Sequence, residues 1–275
     1  MDWSVALLSQ GIESTPLNDA EGWRLLVPAE HYLDAIAVLN VYQRENPPWI
    51  WRPSIRSSTL LFHSGALGWG VLILFVEAWS RIAGPAVRDA GLMSGLAVQQ
   101  GEWWRLFTAM TLHADLAHLM ANLTTGVLLL GLAMARWNVG TALLAAWCAG
   151  AFGNLAGFFL HPHNHFGLGA SGMVMGALGL LATPSRHDRQ PGHPAPGLVV
   201  RGLLGTVLLF ILIGVNPGSD LIAHLGGFVG GIALGVSLGL LPEQLLHRGS
   251  ISLVTGAITA ATLVWTWALA LAHKP

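Results

Sequence analysis

GLGASGMVMGALGLLAT, residues 167–183, places a serine bounded by glycines at the head of an apolar run. Counted from Ser171 to Thr183, the run has 13 residues. At about 1.5 Å per residue this is about 20 Å of helix, less than the roughly 30 Å of bilayer hydrocarbon. Its N-terminus is therefore expected inside the membrane thickness, unless the segment is re-entrant. The preceding loop, 161–169, would have to descend to meet it, which lipid tolerates only where backbone lines a cavity or is buried in protein. A serine that opens a helix below the membrane surface is the first pointer to function.

The rest of the chain supports a lipid environment. Of 275 residues, 53% are apolar and 10% charged, against about 25% charged in an ordinary soluble domain. Besides the short span at 170–183, apolar spans are expected near 59–79, 116–135, 139–160, 198–216, 220–241 and 252–271. The fold class is an all-α polytopic membrane protein with the lipid bilayer as solvent. A net charge of −1 gives no basis for a nucleic-acid partner. The single cysteine, Cys148, excludes an intrachain disulfide framework and is read as a small packing residue. Met1-Asp2-Trp3-Ser4 has no basic stretch ahead of its short apolar run, so no cleaved signal peptide is expected.

Residues 1–57 differ in character from the apolar spans. They hold Asp2, Glu13, Asp19, Glu21, Glu30, Asp34 and Glu45, seven of the 14 acidic residues. Ser4–Leu8 and Trp23–Val27 read as strands and Ala29–Glu45 as an amphipathic helix, with Ile36, Val38, Leu39 and Tyr42 on or beside its apolar stripe. Asn46-Pro47-Pro48 ends that helix. The expected division is a small α+β (ββα) soluble domain at 1–57, a six-helix membrane core at 58–241, and a linker with a seventh span at 242–275.

Arginines orient the spans. Arg52, Arg56, Arg136, Arg186, Arg189, Arg201 and Arg248 fall on one side, and chiefly Arg81, Arg88 and Arg105 on the other. The positive-inside rule then places the N-terminus in the cytoplasm and the C-terminus outside, with Ser171 at the outer end of its helix. In the long first outer loop, Glu102-Trp103-Trp104-Arg105-Leu106-Phe107 reads as a short helix at headgroup level, where adjacent indoles meet both apolar and wet surroundings.

Polar residues in the spans form three constellations. His118 and Asn122, four apart, share a helix face. Gly167–Gly172 carries the serine, and Ala223-His224-Leu225-Gly226-Gly227 carries a histidine. All three fall at outer ends in a topology derived from arginines alone. Gly227, Gly231, Gly235 and Gly239 make one helix smooth, and Gly172, Gly176 and Gly179 another. Small residues at such spacing let membrane helices approach closely, which would bring Ser171 beside His224. A serine hydroxyl needs a base to accept its proton, and His224 can serve without a carboxylate. Asp220, one turn earlier and near the surface, is not assigned to orient it. Attack on a peptide carbonyl creates an oxyanion, for which the Asn122 amide, a His118 ring N–H and the Ser171 backbone N–H are candidate donors.

Plainer readings exist for each residue. Membrane serines commonly bond their own helix, and His118, Asn122 and His224 could be interhelical hydrogen-bond partners. His161, His163 and His165 could bind a metal, but Pro162 and Asn164 between them favour an ordinary turn. No metal or cofactor is assigned. His113 is read as a supporting hydrogen-bond group, and His63, Trp147, Met173 and Met175 as packing residues.

Glu102-Trp103-Trp104-Arg105, His118-x-x-x-Asn122, Gly169-x-Ser171-Gly172 and Ala223-His224-x-x-Gly227-x-x-x-Gly231 together resemble the signature set of rhomboid proteases, in the family's order. The resemblance covers residues 60–241 and implies a six-helix bundle; the seventh span resembles the "six plus one" members. It implies Ser171 as nucleophile, His224 as general base, and His118, Asn122 and the Ser171 backbone at the oxyanion hole. His113, Gly169, Gly172, Gly227, Gly231, Glu102 and Arg105 support the site in that resemblance. It further implies transmembrane proteins as substrates, cleaved near the outer face after small residues. Met175 is a departure, since many members carry an aromatic residue there, packed on the catalytic histidine.

The runner-up function is a catalytically silent rhomboid-like protein that binds membrane clients; such proteins typically lack the serine or histidine retained here. A haem or ion-conducting bundle using His63, His113, His118 and His224 would leave the Gly-x-Ser-Gly loop unexplained. A bacterial inner membrane is the expected location. Oligomeric state and natural substrates are not written in these residues.

Overall fold

A computed structural model describes residues 2–19, 22–46, 62–162, 165–183, 196–215 and 219–273. It divides into two compact units, Met1–Ser58 and Thr59–Pro275.

The first unit is helix–hairpin–helix. α1 (Asp2–Leu8) is followed by β1 (Thr15–Asp19) and β2 (Gly22–Leu26), an antiparallel pair in which Asp19 faces Gly22, then one 3-10 turn and α2 (Tyr32–Glu45). Ser4–Leu8 is thus helical, correcting the expected strand. A short apolar run cannot be told from a helical turn by periodicity, and here α1 buries Leu7 with Ile12 and Ala35. The stripe of α2 runs through Ala35, Val38 and Leu39, whereas Ile36 lies off it and is exposed.

In the second unit, five helices are long and apolar enough to cross a membrane among the described residues: α3 (Gly65–Ala83), α7 (Leu116–Trp137), α8 (Val139–Leu160), α11 (Leu221–Leu238) and α13 (Gly249–Ala272). Two further apolar helices are the short α9 (Ser171–Ala182) and α10 (Pro196–Gly214). α3 begins later than expected because the His63 ring accepts the Gly65 N–H at 3.0 Å, so His63 sits ahead of the helix rather than in it. Residues 59–61 of the expected first span, with Arg52, Arg56, His163, Asn164, Arg186 and Arg189, lie outside the described residues.

The loop between α3 and α7 holds α4 (Pro85–Gly91), β3 (Met93–Ser94), α5 (Gly95–Gln99), α6 (Arg105–Thr108) and a 3-10 turn. The expected interfacial helix is therefore shorter, Arg105–Thr108. Trp104 is buried in protein, while Trp103 stays partly exposed. The Arg105 side chain is buried, bonding Glu102 at 2.6 Å and the carbonyls of Asp89 and Leu92 at 2.5 and 2.7 Å. It folds the loop around itself. β3 pairs antiparallel with β4 (Phe166–Gly167), and Gly95 N–H bonds the His165 carbonyl at 3.1 Å. Gly169 N–H bonds the Ala109 carbonyl at 3.0 Å. Backbone groups ahead of Ser171 thereby find partners in the first loop, as a non-helical segment enclosed in protein requires.

α9 packs between α7, α8 and α11. A Cβ on Gly227 would collide with the carbonyl oxygen of Gly172, one on Gly231 with that of Gly176, and one on Gly179 with that of Phe228. The two glycine strips touch backbone to backbone, where dispersion rather than water exclusion favours association in lipid. Gly227→Val should cost more than the roughly 1–3 kcal/mol usual for overpacking, because the obstructing atom is main chain. The thermal midpoint in detergent should fall sharply, whereas the same change at Gly205, with open space around it, should leave it nearly unchanged. The seventh helix, α13, packs on α8 and the first loop; Trp267 meets Trp79 edge-on at 5.0 Å and donates to Thr111 Oγ1 at 3.2 Å.

Candidate active site

α7 starts at an N-cap, where Asp115 Oδ1 accepts the His118 N–H at 2.8 Å. Asn122 is buried and gives one amide hydrogen to the His118 carbonyl at 3.1 Å, which leaves its second N–H to the site. Both side chains face Gly169. A Cβ there would lie 2.7 Å from the His118 ring and 3.7 Å from Asn122 Nδ2. Gly169 also has φ +125°, which L side chains rarely adopt, so glycine is required here twice over.

Ser171 is the first residue of α9. Thr124, Thr125 and Thr255 each bond the carbonyl four residues back in their helix. Ser171 has no helical turn behind it to bond in that way. Its backbone N–H belongs to the first turn, where helices leave donors without intrahelical partners.

His224 is buried in the first turns of α11. Its Nδ1 lies 2.7 Å from the carbonyl oxygen of Gly214, the last residue of α10. A carbonyl only accepts, so Nδ1 carries the proton and Nε2 holds the lone pair. Met175 packs behind this contact: a Cβ on Gly214 would sit 3.4 Å from its sulfur. The Gly172–Gly227 crossing brings Ser171 and His224 to one level, since Gly172 also faces the Ala223 carbonyl.

His113, fully buried, links the site to α3. Its Nε2 accepts from Ala170 N–H at 3.4 Å, next to Ser171, and its ring meets His118 edge-on at 5.3 Å. Its backbone N–H donates to Glu77 Oε2 at 2.8 Å, and its carbonyl accepts from Arg88 at 2.6 Å. Burial, then repulsion from His118, lowers its pKa from 6.5 to about 4 against the attraction of Glu77. The folded state thus binds the proton less well than the unfolded state. Stability should be level above pH 6.5, fall between 6.5 and about 4, and level off below, with a loss on the order of 3 kcal/mol. Thermal midpoints across this range should show a shallower slope for His113→Gln.

The structure sets the neighbours of Ser171 and His224 against each other at the Gly172–Gly227 crossing, faces His118 and Asn122 toward Gly169 and His113 toward Ala170, and has Gly231 one turn further along the crossing. Glu102 and Arg105 lie apart and act on the first loop's shape. Three contributors escaped the sequence: Glu77, the Gly214 carbonyl and the Ala109 carbonyl. Glu77 had a signal, as a carboxylate within an apolar span; a backbone carbonyl has none. Asp220 does not touch the His224 ring in any hydrogen bond; it bonds His161 and His165 at 2.9 Å each.

A family profile described as Rhomboid domain matches residues 100–240. The chain is 32% identical over 165 residues to Rhomboid protease GluP of Bacillus subtilis, covering 54% of this chain and 29% of that protein. It is 31% identical over 149 residues to YdcA of the same bacterium, covering 54% of this chain and 73% of that protein. RHOMBOID-like protein 7 of Arabidopsis thaliana is 31% identical over 196 residues, 64% of this chain and 57% of the relative. The chain thus spans under a third of GluP and little more than half of the plant relative. Profile, long apolar helices and relatives agree, and the chain belongs to the rhomboid family of multi-pass membrane proteins.

Proposed function

We propose that this protein is an intramembrane serine endopeptidase, with Ser171 as nucleophile and His224 as general base. The observation that carries the reading is the 2.7 Å contact of His224 Nδ1 with the Gly214 carbonyl, at the glycine crossing that sets α9 against α11. In the neutral ring it puts the proton on Nδ1 and the lone pair on Nε2, and it holds the ring in one orientation without a carboxylate. His224 takes the Ser171 proton as the hydroxyl attacks a peptide carbonyl, and then delivers it to the leaving amine. The resulting oxyanion meets the Ser171 N–H, the second Asn122 N–H and the His118 ring. Water completes the cycle by hydrolysing the acyl-enzyme.

Substrates are transmembrane proteins that present a locally unwound segment to the Gly167–Ser171 loop. GluP is named as a rhomboid protease, which favours the same chemistry here. The arginine distribution favours a cytoplasmic N-terminus with the site toward the outer face, and the compact loops and the family resemblance favour a bacterial inner membrane. Purified protein in liposomes should cleave a model transmembrane substrate and react with a fluorophosphonate at Ser171. Failure of both, across several substrates, would overturn the protease reading in favour of a client-binding protein.

A further inference from the structure

We propose that His161, His165 and Asp220 form a divalent-metal site of the zinc type that ties the loop after α8 to the N-terminus of α11. The two imidazoles stack with centroids 3.9 Å apart and planes 18° from parallel, and their Nε2 atoms share one carboxylate partner. Each points at one oxygen of the same carboxylate: His161 Nε2 to Oδ1 and His165 Nε2 to Oδ2, both at 2.9 Å. The three ligand atoms lie within 4.8 Å of one another. The side chains are 24%, 27% and 23% exposed, sheltered but reachable from solvent.

Each ligand is held independently of the cluster. The His161 N–H bonds the Gly157 carbonyl at 2.9 Å, closing α8. The His165 N–H bonds the Pro162 carbonyl at 2.9 Å, and its own carbonyl accepts the Gly95 N–H. Asp220 caps α11 through Ala223 N–H at 2.9 Å. The backbone thus pre-places two imidazole nitrogens and a carboxylate oxygen from chain positions 55 and 59 residues apart. Two imidazoles and one carboxylate make a three-ligand set that suits Zn²⁺ and leaves a fourth position for water. Ligation at about 2.0–2.2 Å requires the two rings to splay out of their stack, because each Nε2 lone pair lies in its own ring plane. In the metal-free cluster the Nε2 hydrogens face the carboxylate; on binding, each neutral ring carries its proton on Nδ1 instead, so Nε2 can ligate.

The site lies just ahead of the segment leading to Ser171 and four residues before His224, so metal would brace both arms of the candidate active site. The metal site does not depend on the protease reading, and its test needs no cleavage. The full-length chain, free of any histidine tag and stripped with chelator, would be titrated with Co²⁺ in detergent. Visible bands of four-coordinate Co²⁺ should saturate at one equivalent and be displaced by Zn²⁺, and Zn²⁺ should raise the thermal midpoint. His161→Gln with His165→Gln should abolish the bands. Asp220→Asn, which keeps the helix cap, should weaken binding at least about tenfold. His163→Gln should bind as wild type. Absence of bands in the wild type, bands that survive the double variant, or loss in His163→Gln with Asp220→Asn unaffected would each overturn the site.

Discussion

Ser171→Ala and His224→Ala are each expected to lower cleavage of a transmembrane substrate by at least ~10³-fold, and the double variant by no more than either alone. The non-additivity follows from the geometry. His224 can serve only as the partner of the Ser171 hydroxyl, because its other nitrogen is committed to the Gly214 carbonyl at 2.7 Å. Without the serine the imidazole has no proton to accept. Without the imidazole the hydroxyl is a weak nucleophile at neutral pH. What remains in all three variants is the oxyanion donors and substrate binding. Both side chains are removed without opening backbone contacts, since the helices meet through glycines. The thermal midpoint of Ser171→Ala should therefore stay close to wild type while the rate collapses; that of His224→Ala should fall modestly, because the Gly214 carbonyl loses its donor. Losses that multiply in the double variant would mean that the two residues act independently, and cleavage that survives Ser171→Ala would exclude it as nucleophile.

Glu77→Ala should cost about 3 kcal/mol or more of stability. Glu77 is 2% exposed and accepts from Arg81 Nε at 2.6 Å, Arg88 at 3.0 Å and the His113 N–H at 2.8 Å. Arg81 is half exposed and can turn to solvent, so little of the cost comes from it. Arg88 is 22% exposed and the His113 N–H is enclosed; these would lose a charged acceptor with no replacement. The effect should reach the site, since His113 also accepts from Ala170 N–H beside Ser171. A lower thermal midpoint and a lower kcat/KM are expected together. Glu77→Gln, which keeps an acceptor of the same shape but no charge, should fall between alanine and wild type. An unchanged midpoint in Glu77→Ala would show that this network does not hold the first loop in place.

Much of this architecture was readable from residues close together in the chain. The spans, the short helix after Ser171 and the glycine strips follow from local hydropathy and local spacing. The side chains of His118 and Asn122 share a face because four residues make about one helical turn. The N-terminal unit was read less well: Ser4–Leu8 could be strand or helix on pattern, and burial of Leu7 within its unit made it helix. For the Trp103–Trp104 pair the sequence pattern did not distinguish the two indoles, because only the folded loop buries Trp104 in protein and leaves Trp103 partly exposed.

Periodicity and composition thus determined a multi-pass helical protein with a serine at the head of a short span, because those properties are carried within single segments. Tertiary structure alone decided which groups hold the candidate site residues in place. The Gly214 carbonyl orients His224, Glu77 reaches His113 across 36 residues, and Asp220 gathers His161 and His165 across nearly sixty. The physical reason is that every residue has a carbonyl and any buried carboxylate has several possible partners. Only the folded path of the chain selects among them.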